Sequence, residues 1–136
     1  MNGLPAPSPR KYLEREMDDA AREFYRRWRA GGQLTSTSCD RCEAVAFPPR
    51  ERCARCGAST RWVPLPARGT LYAFTTQEGA LRFRAPWVLA LAEFDGAVLP
   101  GVLDEPFERL RIGLSVTASP HPEEETGLTL VRFELC

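Results

Sequence analysis

The chain has one histidine, His121, and two methionines, and no apolar run that approaches the ~20 residues needed to cross a bilayer. Its eighteen basic and eighteen acidic residues cancel to a formal net charge of zero, so the basic excess of a dedicated nucleic-acid binder is missing. No Gly-x-Ser-x-Gly elbow, phosphate loop or dinucleotide glycine fingerprint occurs. His121 stands between Pro120 and Pro122 ahead of Glu123-Glu124-Glu125, which predicts an exposed loop, a poor place to fix a general base. Glu93, a lone carboxylate on an expected strand, reads as structural or solvated. These absences argue against an enzyme that works alone and against a membrane-spanning protein. The Pro-rich start lacks the continuous apolar segment of a signal peptide, so a cytoplasmic location is expected. At 136 residues the chain fits one ordinary domain or two small ones that share an interface.

What the chain does carry is cysteine in a telling arrangement. Two Cys-x-x-Cys pairs, Cys39/Cys42 and Cys53/Cys56, are separated by ten residues. Each such turn points two thiolates at one ion, and two turns close a tetrahedral four-sulfur shell with Zn–S distances of roughly 2.3 Å. The expectation is one structural zinc per chain, with no coordination position left for water or substrate. Two disulfides or a redox Cys-x-x-Cys are the alternatives, but no sign of an oxidising compartment and no thioredoxin-like βαβ pattern accompanies either pair. Gly57 follows the second pair, as a tight knuckle prefers. Glu43 follows the first, where a left-handed backbone strains a residue with a Cβ, so distortion of that knuckle is expected. The fifth cysteine, Cys136, is terminal with no nearby base and reads as inert.

Around this centre the pattern changes along the chain. Residues 1–7 read as a disordered lead-in. Ser8 caps an expected helix with Pro9 at its first position, and Leu13, Met17, Ala20, Phe24 and Trp28 trace one apolar stripe before Gly31-Gly32. The opposite face mixes acids and arginines and reads as solvated. Gln33 to Ser38 suits the first strand of a ribbon hairpin, and Ala44 to Arg50 a second one stopped by Pro48-Pro49. So small a core needs the metal to stay folded. Pro64 and Pro66 mark a stiff joint. Beyond it, alternating strands are expected over Gly69–Thr76, Trp87–Phe94, Ala97–Leu103, Ser115–Ala118 and Leu128–Leu135, with a hairpin turn at Asp95-Gly96 and a short turn over Pro106–Arg111. Five strands in about seventy residues suit a Greek-key barrel of the OB type. The predicted fold is therefore mainly β, in three parts: lead-in and helix (1–32), zinc ribbon (33–65) and OB-fold barrel (66–136).

With these parts laid out, the chain resembles the family that joins a rubredoxin-like zinc ribbon to an OB-fold and is associated with acyl-CoA metabolism. The likeness rests on Phe24-Tyr25-Arg26-Arg27-Trp28, Gly32-Gln33-Leu34, Cys39-x-x-Cys42, Phe47-Pro48-Pro49-Arg50 and Cys53-x-x-Cys56-Gly57. It continues with Gly69-Thr70-Leu71-Tyr72-Ala73-Phe74-Thr75, Pro86-Trp87-Val88-Leu89-Ala90-Leu91-Ala92-Glu93-Phe94 and Ile112-Gly113. The resemblance implies an accessory subunit beside a thiolase-like acyltransferase, an aldolase or a hydroxymethylglutaryl-CoA synthase, with the chemistry in the partner. It also implies help in holding or channelling CoA-linked intermediates within a hetero-oligomer.

The loop Leu81-Arg82-Phe83-Arg84-Ala85-Pro86-Trp87 supplies the groups such a role would use. Arg82 and Arg84 suit phosphate and Trp87 suits stacking, which fits a CoA ester but equally a single-stranded nucleic acid. A hairpin tip whose aromatics simply cap the barrel is the plainer reading. Arg50, Arg52, Arg55 and Arg61 offer a second positive surface on the ribbon. The large apolar side chains Phe24, Tyr25, Trp28, Phe47, Trp62, Phe83 and Trp87 exceed what such small cores bury. Own-chain packing is the default for the helix stripe, yet this surplus points to the helix and a barrel face as partner contacts. The first alternative function is a nucleic-acid-binding ribbon/OB module, and the second is a free-standing redox or hydrolytic enzyme.

Overall fold

A computed structural model describes residues 14–76, 88–124 and 127–136, apart from the side chain of Thr76. Helix α1 spans Asp19–Gly31. The Asp18 carboxylate accepts the Ala21 amide at 2.8 Å and so starts the helix, while Gly32, at φ 68, ends it by donating its amide to the Trp28 carbonyl at 3.0 Å. The expected beginning at Ser8 and Pro9 lies outside the described residues. The backbone leaves helical geometry at residues 16–18, so Met17 of the expected stripe precedes α1. Asp18 thus caps the helix rather than standing on its solvated face.

The stripe itself faces inward. Ala20, Phe24 and Trp28 are buried, and Phe24 and Trp28 belong to the same apolar cluster as the barrel core. Trp28 Nε1 donates to the Leu130 carbonyl at 3.0 Å, pinning the helix to the barrel. The Phe24 ring meets Phe47 edge-on at 5.0 Å, pinning it also to the ribbon. These two side chains are therefore not partner contacts: own-chain packing accounts for them. The outer face carries the ion pairs Asp19–Arg22, Glu23–Arg26, Glu23–Arg27 and Glu14–Arg29.

Three short strands form the ribbon: β1 Thr35–Cys39, β2 Val45–Ala46 and β3 Thr60–Pro64, ordered β2-β1-β3 and antiparallel. The second strand is shorter than expected because the chain turns away ahead of Pro48-Pro49. The third was not expected, since Pro64 read as a joint. It is in fact the last residue of β3, opposite Thr35, where a missing amide hydrogen is tolerated.

The barrel strands are β4 Arg68–Thr76, β5 Val88–Phe94, β6 Ala97–Leu103, β7 Ser115–Pro122 and β8 Thr129–Leu135, with one 3₁₀ turn at Phe107–Arg109. They close in the order β4-β5-β6-β8-β7, with β6 and β8 parallel and the other pairs antiparallel. The β5–β6 hairpin turns on Asp95 and Gly96 at φ 52 and 92, the doubly left-handed geometry that Asp-Gly favours. Leu71, Ala92, Phe94, Leu99, Leu103, Val116 and Phe133 fill the interior. Each large apolar side chain so buried contributes about 1.5–3 kcal/mol. Gly101 makes room for that filling: a Cβ there would stand 2.5 Å from the Phe133 ring.

Strand β7 runs further than expected and takes in Pro120-His121-Pro122, so His121 is half-buried in a strand opposite Leu130 rather than in an exposed loop. Past Thr117 the described pairing of β7 is to β8 alone, and prolines are admitted on a strand with one open side. Among the described residues no helix is long and apolar enough to cross a membrane.

Candidate metal centre

The ends of the ribbon strands bring Cys39, Cys42, Cys53 and Cys56 together, with all four Sγ atoms within 4.8 Å of one another. Across the knuckles, Cys39 Sγ lies 3.5 Å from Cys56 Sγ, and Cys42 Sγ lies 3.6 Å from Cys53 Sγ. A tetrahedron of sulfurs at 2.3 Å from its centre has edges of about 3.8 Å, whereas a disulfide needs about 2.05 Å. The spacing fits a bound ion, and all four are free thiols rather than paired.

Each knuckle is built by its own backbone. The Cys39 carbonyl accepts the Glu43 amide at 3.0 Å and the Cys39 amide is donated to the Ala44 carbonyl at 2.9 Å. In the second knuckle, the Cys53 carbonyl accepts the Gly57 amide and the Cys53 amide is donated to Ala58, both at 2.9 Å. The expected distortion at Glu43 is absent. Glu43 adopts φ 60 beside the 74 of Gly57 and reproduces the hydrogen bonds of the glycine knuckle, so the strain sits in one residue rather than in the shape of the turn.

Backbone amides also aim at the sulfurs. Arg41 and Cys42 donate to Cys39 Sγ at 3.3 and 3.4 Å, and Arg55 donates to Cys53 Sγ at 3.4 Å. The Cys42 amide, followed by that of Arg41, holds the Cys39 thiol down to about 6, and the Cys56 and Arg55 amides lower Cys53 in the same way. Thiolate is the form a metal takes.

Asp40, which sequence reasoning passed over, braces the first knuckle: its amide is donated to the Ser59 carbonyl at 3.0 Å, and its carboxylate accepts Ser59 Oγ at 2.8 Å and Arg61 at 3.2 Å. An acid directly after a ligand cysteine, opposite a serine and an arginine on a later strand, is the signal that could have found it. Arg50, Arg52, Arg55 and Arg61 are all exposed. From Cys39 to Arg61, five arginines face three acids. That excess of two positive charges offsets the two negative charges of a divalent ion in four thiolates, so these arginines do not amount to a surplus for a polyanion. Arg82, Arg84 and Trp87 lie outside the described residues.

A four-cysteine ribbon braced by a helix and joined to a closed five-stranded Greek-key barrel defines a ribbon/OB-fold protein. Residues 62–120 match the family described as "ChsH2, C-terminal OB-fold domain". Among solved structures, the fold is similar to a chain of an "Ltp2-ChsH2(DUF35) aldolase", with a TM-score of 0.73 and 23% identity over 87% of this chain and 95% of that one. It is also similar to a DUF35-family protein of unknown function from Sulfolobus solfataricus, with a TM-score of 0.63 and 16% identity over 92% of each chain. No curated protein sequence matches the chain.

Proposed function

We infer that this chain is a non-catalytic, zinc-binding subunit of an acyl-CoA-handling complex, standing beside an aldolase or thiolase-like acyltransferase that supplies the reacting groups. The observation that carries the reading is the likeness, over nearly the whole of both chains, to a component of an Ltp2-ChsH2(DUF35) aldolase. The metal site supports it. Four thiolates complete the coordination of a zinc ion, so the ion acts as a structural tie and not as a Lewis acid. Its residues fit that ion: Cys39, Cys42, Cys53 and Cys56 would hold it, and the Arg41, Cys42 and Arg55 amides favour the thiolate form of Cys39 and Cys53. The ion holds the ribbon, the ribbon holds Phe47 against Phe24, and the helix in turn holds Trp28 against β8. The result is a firm platform. On this reading Arg82, Arg84 and Trp87, between β4 and β5, meet the phosphates and adenine of the CoA-linked intermediate, and the complex works in the cytoplasm.

The test is co-expression with each thiolase- or aldolase-type enzyme encoded in its neighbourhood, followed by size-exclusion chromatography. Co-elution in a fixed ratio is expected with one of them. Separate elution from all of them contradicts the assignment.

A further inference from the structure

The four sulfurs are not equally protected. Cys39 is 1% exposed, whereas Cys42 and Cys56 are exposed and Cys53 is partly so. The two close sulfur pairs each cross from one knuckle to the other, Cys39 with Cys56 and Cys42 with Cys53. They differ in exposure. Both members of the Cys42/Cys53 pair are open to solvent, while one member of the other pair is buried. A buried thiolate is less accessible to an oxidant than an open one.

We propose that the metal shell is also a peroxide-sensitive release site, opened by a disulfide between Cys42 and Cys53. The Cys42 thiolate attacks one oxygen of a hydroperoxide, the O–O bond breaks, and hydroxide or alkoxide leaves, giving a sulfenic acid. The Cys53 thiolate, 3.6 Å away, then attacks that sulfur and expels hydroxide as the S–S bond forms. The two sulfurs together lose two electrons, the peroxide gains them, and two protons from solvent convert the two anions released to water or alcohol. With two of its four ligands gone, the ion has only Cys39 and Cys56 and departs. The new bond still ties one knuckle to the other, so the ribbon keeps its register for reduction and reloading. A disulfide within either knuckle would instead leave the two knuckles untied.

Four arginines make the test direct. Tryptic cleavage after Arg41, Arg50, Arg52 and Arg55 puts each of the four cysteines on its own peptide. The zinc-loaded full chain, with Cys136→Ser to prevent intermolecular pairing, is treated with hydrogen peroxide. Released zinc is followed with a chromogenic chelator, and the non-reduced digest is mapped by mass spectrometry. The expected result is loss of the bound zinc in step with a disulfide joining the Cys42 peptide to the Cys53 peptide, both reversed by thiol reductant and added zinc. Zinc retained under excess peroxide, a predominance of within-knuckle disulfides, or conversion to sulfinic acid without a disulfide overturns the proposal. None of these readouts involves a partner protein, so they stand apart from the subunit assignment.

Discussion

Glu43 and Gly57 occupy equivalent places in the two cysteine knuckles, each left-handed and each donating its amide to the carbonyl of the cysteine four residues before it. Only one of them is a glycine. A left-handed non-glycine residue costs roughly 1–2 kcal/mol, part of which glycine gives back as chain entropy in the unfolded state. Glu43→Gly is therefore expected to stabilise the zinc-loaded chain by about 0.5–1 kcal/mol. A denaturant titration at constant zinc checks this, and a less stable variant would mean that the Glu43 side chain makes an interaction that outweighs its backbone strain.

The helix stripe gives a second prediction. Trp28 is 1% exposed and its indole hydrogen bonds to Leu130. Trp28→Phe removes that donor and part of the filling and should cost about 2 kcal/mol. Trp28→Ala should cost about 3–5 kcal/mol. The effect belongs to the chain's own stability. Equilibrium unfolding of the isolated protein should show it in full, and an unchanged midpoint would return the helix to the role of partner surface.

Glu23 sets a pH dependence. Hydrogen bonds from Arg26 and then Arg27 bring its carboxyl down to about 2 from an ordinary 4.5. A lowered folded-state value means that this stabilisation is fully present above 4.5 and is lost as the pH falls from 4.5 towards 2. Glu23→Gln should lower stability slightly at neutral pH, less so at high salt, and should flatten the decline of stability over that acid window. Melting curves across the window for both proteins check the sign; parallel curves would contradict it.

How much of this was legible beforehand depends on how far apart the interacting residues are in the chain. The cysteine spacing announced its own cluster, because two short turns need only one partner each. The Asp95-Gly96 hairpin and the barrel strands followed from local alternation. Glu43 was recognised as a left-handed position, but its accommodation without distortion depends on hydrogen bonds to Cys39 that a residue list does not display. Pro64 in β3 and His121 in β7 were misread for one reason: proline looks like a break until the strand's open side is known. Phe24 and Trp28 were assigned partly to a partner because their real neighbours, Phe47 and Leu130, come from distant segments.

Metal content is the fourth prediction. Carefully prepared protein should carry about one equivalent of zinc. Cys53→Ser should lose it together with the fold of the ribbon, since metal affinity is part of that module's folding free energy. Elemental analysis paired with thermal melting decides: a variant with unchanged metal and midpoint would remove Cys53 from the shell.

The most direct measurement of the central claim is turnover of a CoA thioester by the co-eluting aldolase or thiolase-type enzyme, with and without this chain. The chain alone should show no turnover, and adding it to the partner should raise the rate to a plateau at a fixed ratio. Arg82→Ala with Arg84→Ala should weaken use of the CoA ester while the complex still forms. If the partner alone turns over as fast as the mixture, the chain is not its functional subunit.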